Sequence, residues 1–318
     1  MADTTPVYFH IGYPKTGTTA LQGEVFPRAE GLHVWANGGL GFPTNWTTEQ
    51  EQAVLLLRDL VWSDEWRGDG HAADELRRLA APGDGQTSFA SYESLAGLLY
   101  YPDNDGRRTC RRLHELFPAA RVILVIREQR SMLRSAYAQY VRAGGTVSPA
   151  RFPQSDACHL DRLLYDRFVD DLCHELGADN VKVLVYEELL RSPGTFLDEL
   201  GAFVGVGDLA GLAPQATRTR NASFSAISIA AKRLTNRLFR VSDLQPRPIL
   251  ASRRLTRYGI ASIERLERVL AGRPKPPEVR LPTSFVASIA TSNAALSTRC
   301  DLRLDEYGYL LPDRDPQR

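Results

Sequence analysis

Four short apolar runs, separated by stretches of helical periodicity, constrain the fold of this chain most strongly. The runs cover residues 7–11, 87–91, 122–126 and 181–186; the third, VILVI, is apolar at every position, whereas the others include polar residues, such as Thr87, Ser88 and Ser91 in the second. Continuous apolar runs of this length are typical of strands that are buried on both faces of a parallel sheet. Because helical stretches lie between the runs, the pattern predicts an α/β fold with a parallel β-sheet flanked by helices.

Composition sets broad limits on the function. The 318 residues include 39 Lys and Arg against 38 Asp and Glu, so the net charge of +1 gives no polyelectrolyte signal for nucleic acid. The four cysteines contain no CxxC pair, which favours reduced thiols and a cytoplasmic location. No apolar run is long enough to be a transmembrane segment. Any anion site must therefore come from local Lys and Arg side chains.

The first apolar run leads directly into PKTGTTALQ, a loop that is suited to anion binding. Gly12 and Pro14 end the run, Lys15 supplies a cation, and the residues that follow favour a helix. A helix N-terminus presents unpaired N–H groups with partial positive charge, and Gly17 lets the backbone approach a ligand closely. In the common nucleotide-binding loop the lysine follows the second glycine, whereas here it precedes Gly17. The loop predicts a phosphate cradle; a Thr-capped helix with a solvated lysine is the alternative.

A second anion site is predicted where the third run ends. Arg127 follows this run, and Ser135 lies eight residues later on the inward face of the next helix. The planar guanidinium of arginine matches phosphate geometry. Ligands of open α/β sheets bind at the carboxyl ends of the strands, so two such sites suit a nucleotide with phosphates at both 5′ and 3′ positions. A salt-bridged Arg and a buried helical Ser form the alternative interpretation.

Both motifs resemble those of sulfotransferases that use 3′-phosphoadenosine 5′-phosphosulfate (PAPS), in the bacterial and glycosaminoglycan-modifying branches of that family. PKTGTTALQ looks like the 5′-phosphosulfate loop, and the Arg–Ser pair has the separation of the 3′-phosphate motif. The resemblance implies a P-loop-like sulfotransferase fold, catalysis without a metal, and a Lys15 contact to the bridging oxygen of the sulfuryl group. It also implies 3′-phosphate binding by Arg127 and Ser135. The residues implied to hold the 5′-phosphate are Thr16, Gly17, Thr18 and Thr19.

Weaker features of the resemblance concern the base and the adenosine. Glu93 follows the second run, near the place where a Glu serves as base in the glycosaminoglycan branch, so it is the candidate catalytic base; alternatively it charges the first turn of a helix. His10 is the alternative base. Tyr186 is followed by Glu187, and in the family a tyrosine in a similar Tyr-Glu pair packs on adenine. Alternatively, Tyr186 is an ordinary core tyrosine. In the family a basic loop in this part of the chain closes over the 3′-phosphate, and the resemblance implies this role for Arg220 and Asn221.

The predicted function is transfer of a sulfuryl group from PAPS to a hydroxyl or amine of a glycan, lipid or secondary metabolite. We expect a single domain over residues 1–318, with 205–280 as a largely helical, mobile cover over the acceptor site. An atypical P-loop-like nucleotide kinase and a non-catalytic PAP-binding protein are the alternatives. The kinase would need Mg²⁺ and an acidic strand-end ligand, and Arg127 and Tyr186 at two strand ends disfavour it. The sequence leaves the acceptor and the oligomeric state open.

Overall fold

One parallel sheet organises the structure, which is a computed structural model. It describes residues 5–13, 15–38, 47–213, 226–244, 246–252, 254–256, 258–259 and 277–312. Five strands in these residues form the sheet in the order β2-β3-β1-β4-β5, and every neighbouring pair is parallel. The strands are β1 (Val7–His10), β2 (Leu32–Gly38), β3 (Thr87–Tyr92), β4 (Ala120–Ile126) and β5 (Val181–Val185). The predicted α/β fold with a parallel sheet is confirmed.

Helices connect these strands and pack on the sheet. Those in the described residues are α1 (Thr18–Ala20), α2 (Thr48–Trp62), α3 (His71–Ala80), α4 (Gly106–Leu116), α5 (Gln129–Ala143), α6 (Tyr165–Leu176), α7 (Tyr186–Arg191), α8 (Pro193–Val204), α9 (Ala226–Phe239) and α10 (Thr283–Cys300). The sequence predicts helices over residues 226–239 and 283–300, and α9 and α10 have these bounds. None of these helices is long and apolar enough to cross a bilayer, as far as the described residues go.

The core lies on both faces of the sheet because successive strand residues point to opposite faces. In β4, Val122, Leu124 and Ile126 belong to the larger hydrophobic cluster, together with residues of α2, α4, α5 and α6. The alternate residues Ile123 and Val125 belong to a smaller cluster with residues of α8. This two-sided burial explains why the third run is apolar at every position, and it holds the carboxyl end of β4 rigidly.

The helix after the first loop differs from the predicted regular helix. α1 is followed by a π-helical turn (Leu21–Val25) and a 3₁₀ turn (Phe26–Arg28), and the Phe26 N–H bonds to the Leu21 carbonyl five residues earlier. Pro27 has no N–H to continue a regular helix. The buried Gln22 side chain donates to the carbonyls of Gly38, at 2.7 Å, and of Ser91, at 3.1 Å. The widened turn therefore has a tertiary partner that local propensity does not indicate.

The segment 205–280 is described only in part. Its helix α9 is attached to the end of α5, because the Asn236 side chain donates to the carbonyls of Val141, at 2.7 Å, and of Gly145, at 3.0 Å. The sequence also predicts a short helix near residues 260–270, which lie outside the described residues. The single-domain organisation and the role of 205–280 as a cover stay predictions.

Candidate active site

The carboxyl ends of four adjacent strands carry the main predicted site residues. Lys15 follows β1, Glu93 follows β3, Arg127 follows β4 and Tyr186 follows β5. β1 is the central strand, and the chain reaches β3 on one side of it and β4 on the other. This is a topological switch point, where the loops diverge and leave a crevice in which α/β proteins bind ligands. The candidate active site therefore lies at this edge of the sheet.

The loop after β1 has an unusual backbone conformation. Lys15 and Gly17 both have positive φ angles, 72° and 81°. A Cβ atom on Gly17 would lie 2.6 Å from Cδ2 of Leu189 and 3.2 Å from Cε2 of Tyr186. Residues in this conformation cost on the order of 1 kcal/mol when they are not glycine, and they cluster at ligand clamps. Position 17 therefore requires glycine, and the strain at Lys15 fits a loop that is shaped for binding.

The three threonines of the loop have different surroundings. Thr16 and Thr18 are buried, whereas Thr19 is exposed. The Thr16 hydroxyl donates to the Tyr13 carbonyl at 2.5 Å, and the Thr18 hydroxyl donates to the Glu93 carboxylate. Two of the hydroxyls therefore stabilise the loop itself. The backbone N–H groups at the start of the helical segment have no partner within the helix, and they are the donors best suited to an anion.

Glu93 is a buried carboxyl beside the loop. Burial raises its pKa to about 7, against the charge of Lys15 and the hydrogen bond from Thr18, which both lower it. Burial also lowers the pKa of Lys15; Arg142 lowers it further, while Glu93 raises it. The two side chains are thus close enough to influence each other electrostatically. A carboxyl that titrates near neutral pH is suited to accept a proton from a substrate.

Arg127 connects the two predicted anion sites. Its Nη1 donates to the Lys15 carbonyl at 2.8 Å, and its Nη2 donates to the Ser131 hydroxyl at 3.0 Å. Its guanidinium carbon lies 4.8 Å from the centroid of the Tyr186 ring, in a cation–π contact. The Nε atom is buried and has no hydrogen-bond partner among the described residues. Arg127 therefore braces the Lys15 loop and retains a buried N–H for a ligand.

The hydroxyl beside Arg127 is not that of the predicted serine. Ser131 is its hydrogen-bond partner, and Ser135 lies one turn further along α5, half-buried. The interval of four residues between Arg127 and Ser131 is the sequence signal that could have indicated this pair. The Tyr186 ring, predicted to pack on adenine, packs on Arg127 and beside Gly17. Roles of Ser135 and Tyr186 in binding stay predictions.

A second layer of carboxylates positions the end of β4. Glu128 caps α5, because its carboxylate accepts hydrogen bonds from the backbone N–H groups of Arg130, at 3.1 Å, and Ser131, at 2.9 Å. The backbone N–H of Glu128 in turn donates to Glu187 at 3.1 Å, and Tyr309 donates to the other oxygen of Glu187 at 3.1 Å. These contacts join distant parts of the chain, so short sequence motifs do not indicate them.

His10 lies beneath the loop and is fully buried. Burial lowers its pKa to about 3, so the ring is neutral. Its Nδ1 is 2.8 Å from the Ser91 hydroxyl, which also accepts a hydrogen bond from Gln22 at 3.0 Å. A Cβ on Gly12 would lie 3.4 Å from its Nε2. These contacts place His10 in the packing beneath the loop, and the catalytic roles of Glu93 and His10 stay predictions. Arg220 and Asn221 lie outside the described residues.

Comparison with known proteins agrees with the motifs. Residues 74–208 match the model of the sulfotransferase family. This segment, which is less than half of the chain, is similar to the sulfotransferase family, in agreement with the resemblance of the motifs. The matched region contains Glu93, Arg127 and Tyr186 but begins after the Lys15 loop. No curated protein matches the chain.

Three solved structures are similar to the chain. A sulfotransferase from Alicyclobacillus acidocaldarius is 17% identical with a TM-score of 0.45, and the alignment covers 83% of this chain and 96% of that one. The sulfotransferase domain of the Synechococcus PCC 7002 olefin synthase is 17% identical with a TM-score of 0.40, over 83% of this chain and 96% of the other. A sulfotransferase domain from the curacin biosynthetic pathway is 10% identical with a TM-score of 0.37, over 97% and 99%.

The conformation of Gly17 leads to a testable prediction with a control in the same segment. We expect Gly17→Ala to lower the free energy of unfolding by about 2 kcal/mol, because alanine is strained at a positive φ and would meet Leu189. Gly23→Ala should raise the stability by roughly 0.5–1 kcal/mol, since Gly23 is helical with open space around its Cα. Urea unfolding measures both. Equal effects of the two substitutions would contradict the proposed tight packing at Gly17.

Proposed function

We propose that the protein transfers a sulfuryl group from PAPS to a hydroxyl or amine of a glycan, lipid or secondary metabolite. The observation that carries this proposal is the convergence of Lys15, Glu93 and Arg127 at one sheet edge, with the Arg127 guanidinium bonded to the Lys15 carbonyl. An ammonium, a buried carboxyl and a guanidinium would provide a donor site and a base at this single edge of the sheet. PAPS, when bound, supplies the activated sulfuryl group.

The residues present fit the donor. The backbone of Thr16, Gly17, Thr18 and Thr19 forms the start of a helix, where a 5′-phosphate is favoured by the helix dipole and free N–H groups. Gly17 has no side chain to block close approach. The buried Nε of Arg127, which is without a partner among the described residues, is a ready donor for a further phosphate oxygen. Ser135, Arg220 and Asn221 complete the proposed 3′-phosphate site, and Tyr186 the adenine site.

Two of these side chains have proposed catalytic roles. Lys15 would stabilise negative charge as it develops on the leaving phosphate oxygen, and half-burial makes its charge more effective than it is in water. Glu93 would take the proton from the acceptor hydroxyl or amine, for which a pKa of about 7 is well matched to neutral pH. This chemistry uses only side chains and backbone, so we expect no metal requirement.

Ligand binding separates this proposal from its alternatives. PAP, ATP and ADP would each be added to the whole protein, and the shift in melting temperature recorded with and without Mg²⁺. We expect PAP to stabilise the protein most, without Mg²⁺, since a ligand that binds only the folded state raises its stability. A larger, Mg²⁺-dependent shift with ATP would favour the nucleotide kinase. Release of PAP from PAPS with a panel of sugars, alcohols, phenols and amines then tests catalysis against simple PAP binding.

Arg127 provides a test of the 3′-phosphate assignment. We expect Arg127→Ala to weaken PAP and PAPS by about tenfold or more, because a charge-assisted hydrogen bond contributes roughly 1.5–3 kcal/mol. Adenosine 5′-phosphosulfate, which lacks the 3′-phosphate, should be affected much less. Isothermal titration calorimetry measures all three ligands, with Arg134→Ala on the exposed face of α5 as control. Equal losses for all ligands would mean that Arg127 acts through its bond to the Lys15 loop.

A further inference from the structure

Exposed apolar side chains are concentrated in one part of the chain, residues 226–259, which we name the cover strip. Of the nine large apolar side chains that are exposed among the described residues, seven lie in this strip. They are Ile227 (54%), Leu234 (58%), Val241 (61%), Ile249 (65%), Leu250 (61%), Leu255 (46%) and Tyr258 (73%). The other two, Leu55 and Leu190, lie in separate helices. A concentration of this kind marks an interaction surface.

Helix α9 is inverted relative to an ordinary surface helix. Four of its five buried residues are polar, namely Ser228, Lys232, Thr235 and Asn236; the fifth is Ile229, whereas Ile227 and Leu234 are exposed. The polar side attaches the helix to the domain through the bonds of Asn236 described above. A surface helix of a globular protein normally buries its apolar stripe. The inversion therefore indicates that a second apolar environment meets the outer side of α9.

Backbone hydrogen bonds hold the rest of the strip against α9. Ile249 N–H donates to the Arg237 carbonyl at 3.2 Å, and Leu250 N–H donates to the Leu238 carbonyl at 2.6 Å. A Cβ on Gly259 would lie 2.8 Å from the Thr235 side chain, so Tyr258 is next to the helix as well. The backbone at 249, 250 and 258 therefore lies beside α9, and the apolar side chains at these three positions are exposed.

The strip is also strongly basic. Residues 226–259 contain eight Lys and Arg and a single acidic residue, Asp243, although the whole chain has a net charge of +1. Arg237 and Arg254 are exposed among the apolar side chains. The near-neutral composition of the chain therefore conceals a local region of positive charge.

We propose that the cover strip docks the protein on the surface of an anionic lipid bilayer. Basic helices with exposed apolar side chains lie in the interfacial region, where the apolar groups enter the acyl boundary and the cations meet acidic headgroups. A nucleic acid or an anionic glycan would pair with the arginines but would leave the isoleucine and leucine side chains in water. This proposal goes beyond the proposed transfer reaction and does not depend on it.

Vesicle flotation of the whole protein, without PAPS, tests the proposal. The probes are vesicles of phosphatidylcholine alone and of phosphatidylcholine with about one third phosphatidylglycerol. We expect binding to the anionic vesicles only, weakened by salt because the charge interaction is screened. Arg237→Glu with Arg254→Glu should weaken partition by about tenfold or more, since each basic residue near such a surface contributes about fivefold. Ile249→Ser with Leu250→Ser should also release the protein.

Matched controls use the same substitutions elsewhere on the surface. Leu55→Ser with Leu190→Ser, and Arg28→Glu with Arg111→Glu, change exposed residues outside the strip and should leave vesicle binding unchanged. Tyr258→Trp should give a blue-shifted emission on anionic vesicles, which reports entry into the bilayer. Three results would each overturn the proposal: absence of vesicle binding, equal losses in the control variants, or a dimer in solution that buries the strip.

Discussion

Lys15→Ala is expected to reduce sulfuryl transfer by about 10² to 10³-fold while the protein stays folded. Removal of one preorganised group that stabilises developing charge costs roughly 3–4 kcal/mol of barrier. Lys15 occupies the loop after the central strand, and the charges of Glu93 and Arg127 both act on it. Release of PAP from PAPS in the presence of acceptors measures the effect, and calorimetry with PAP measures binding separately.

The control for this variant is Lys182→Ala. Lys182 lies near the amino end of β5, away from the site edge, where it forms an ion pair with Glu199 at 2.6 Å. Its loss should leave transfer within about twofold, because exposed ion pairs contribute little. Lys15→Ala should also raise the pKa of Glu93 further, since the nearby ammonium lowers it. A Lys15→Ala protein that transfers at a near-normal rate would disprove the proposed role of the loop.

Glu93→Gln is expected to lower the rate of transfer by about 10² to 10⁴-fold, with PAP binding retained. This is the usual contribution of a positioned general base. The wild-type rate should rise with pH through about 7 as the carboxyl ionises, and the Gln variant should lack this rise. Glu115→Gln, at an exposed position of α4, is the control. A Gln variant with normal turnover would mean that another group is the base.

The same substitution has an expected effect on stability that does not depend on activity. Between its ordinary pKa of 4.5 and its raised pKa of about 7, the folded state keeps a proton on Glu93 that the unfolded state has released. The wild-type free energy of unfolding therefore falls as pH rises through this interval, by roughly 3 kcal/mol in total. Glutamine resembles the protonated form and does not titrate. Urea unfolding should thus show that the free energy of unfolding of Glu93→Gln, relative to that of the wild type, is higher at pH 8 than at pH 5.

The strands and the residues that follow them were predictable from the sequence. β1, β3, β4 and β5 coincide with the four apolar runs to within two residues at each end. Lys15, Glu93, Arg127 and Tyr186 then share one edge because the carboxyl ends of parallel strands must meet. Helices α9 and α10 also begin and end where the periodicity predicts. The bounds of these strands and helices depend on residues that are close in the sequence, so sequence patterns can predict them.

Contacts between distant residues were decided only by the tertiary structure. Ser131 rather than Ser135 bonds to Arg127, since α5 begins immediately after the strand and its first turn is nearest the guanidinium. Likewise, the π turn after α1 has the buried Gln22 side chain bonded across to Gly38 and Ser91. Local propensity indicates neither the residue at which a helix begins nor a hydrogen-bond partner about 70 residues away.

The sequence by itself determined four of the five described strands and the identity of the charged residues that follow them, because strand character and strand direction are local properties. Only the tertiary structure decided how these charges act on one another. The pKa of Glu93 depends on how deeply packing buries it, and the outward apolar face of α9 depends on which side of the helix meets α5. Burial is a property of the whole assembled chain, so no single segment could reveal it.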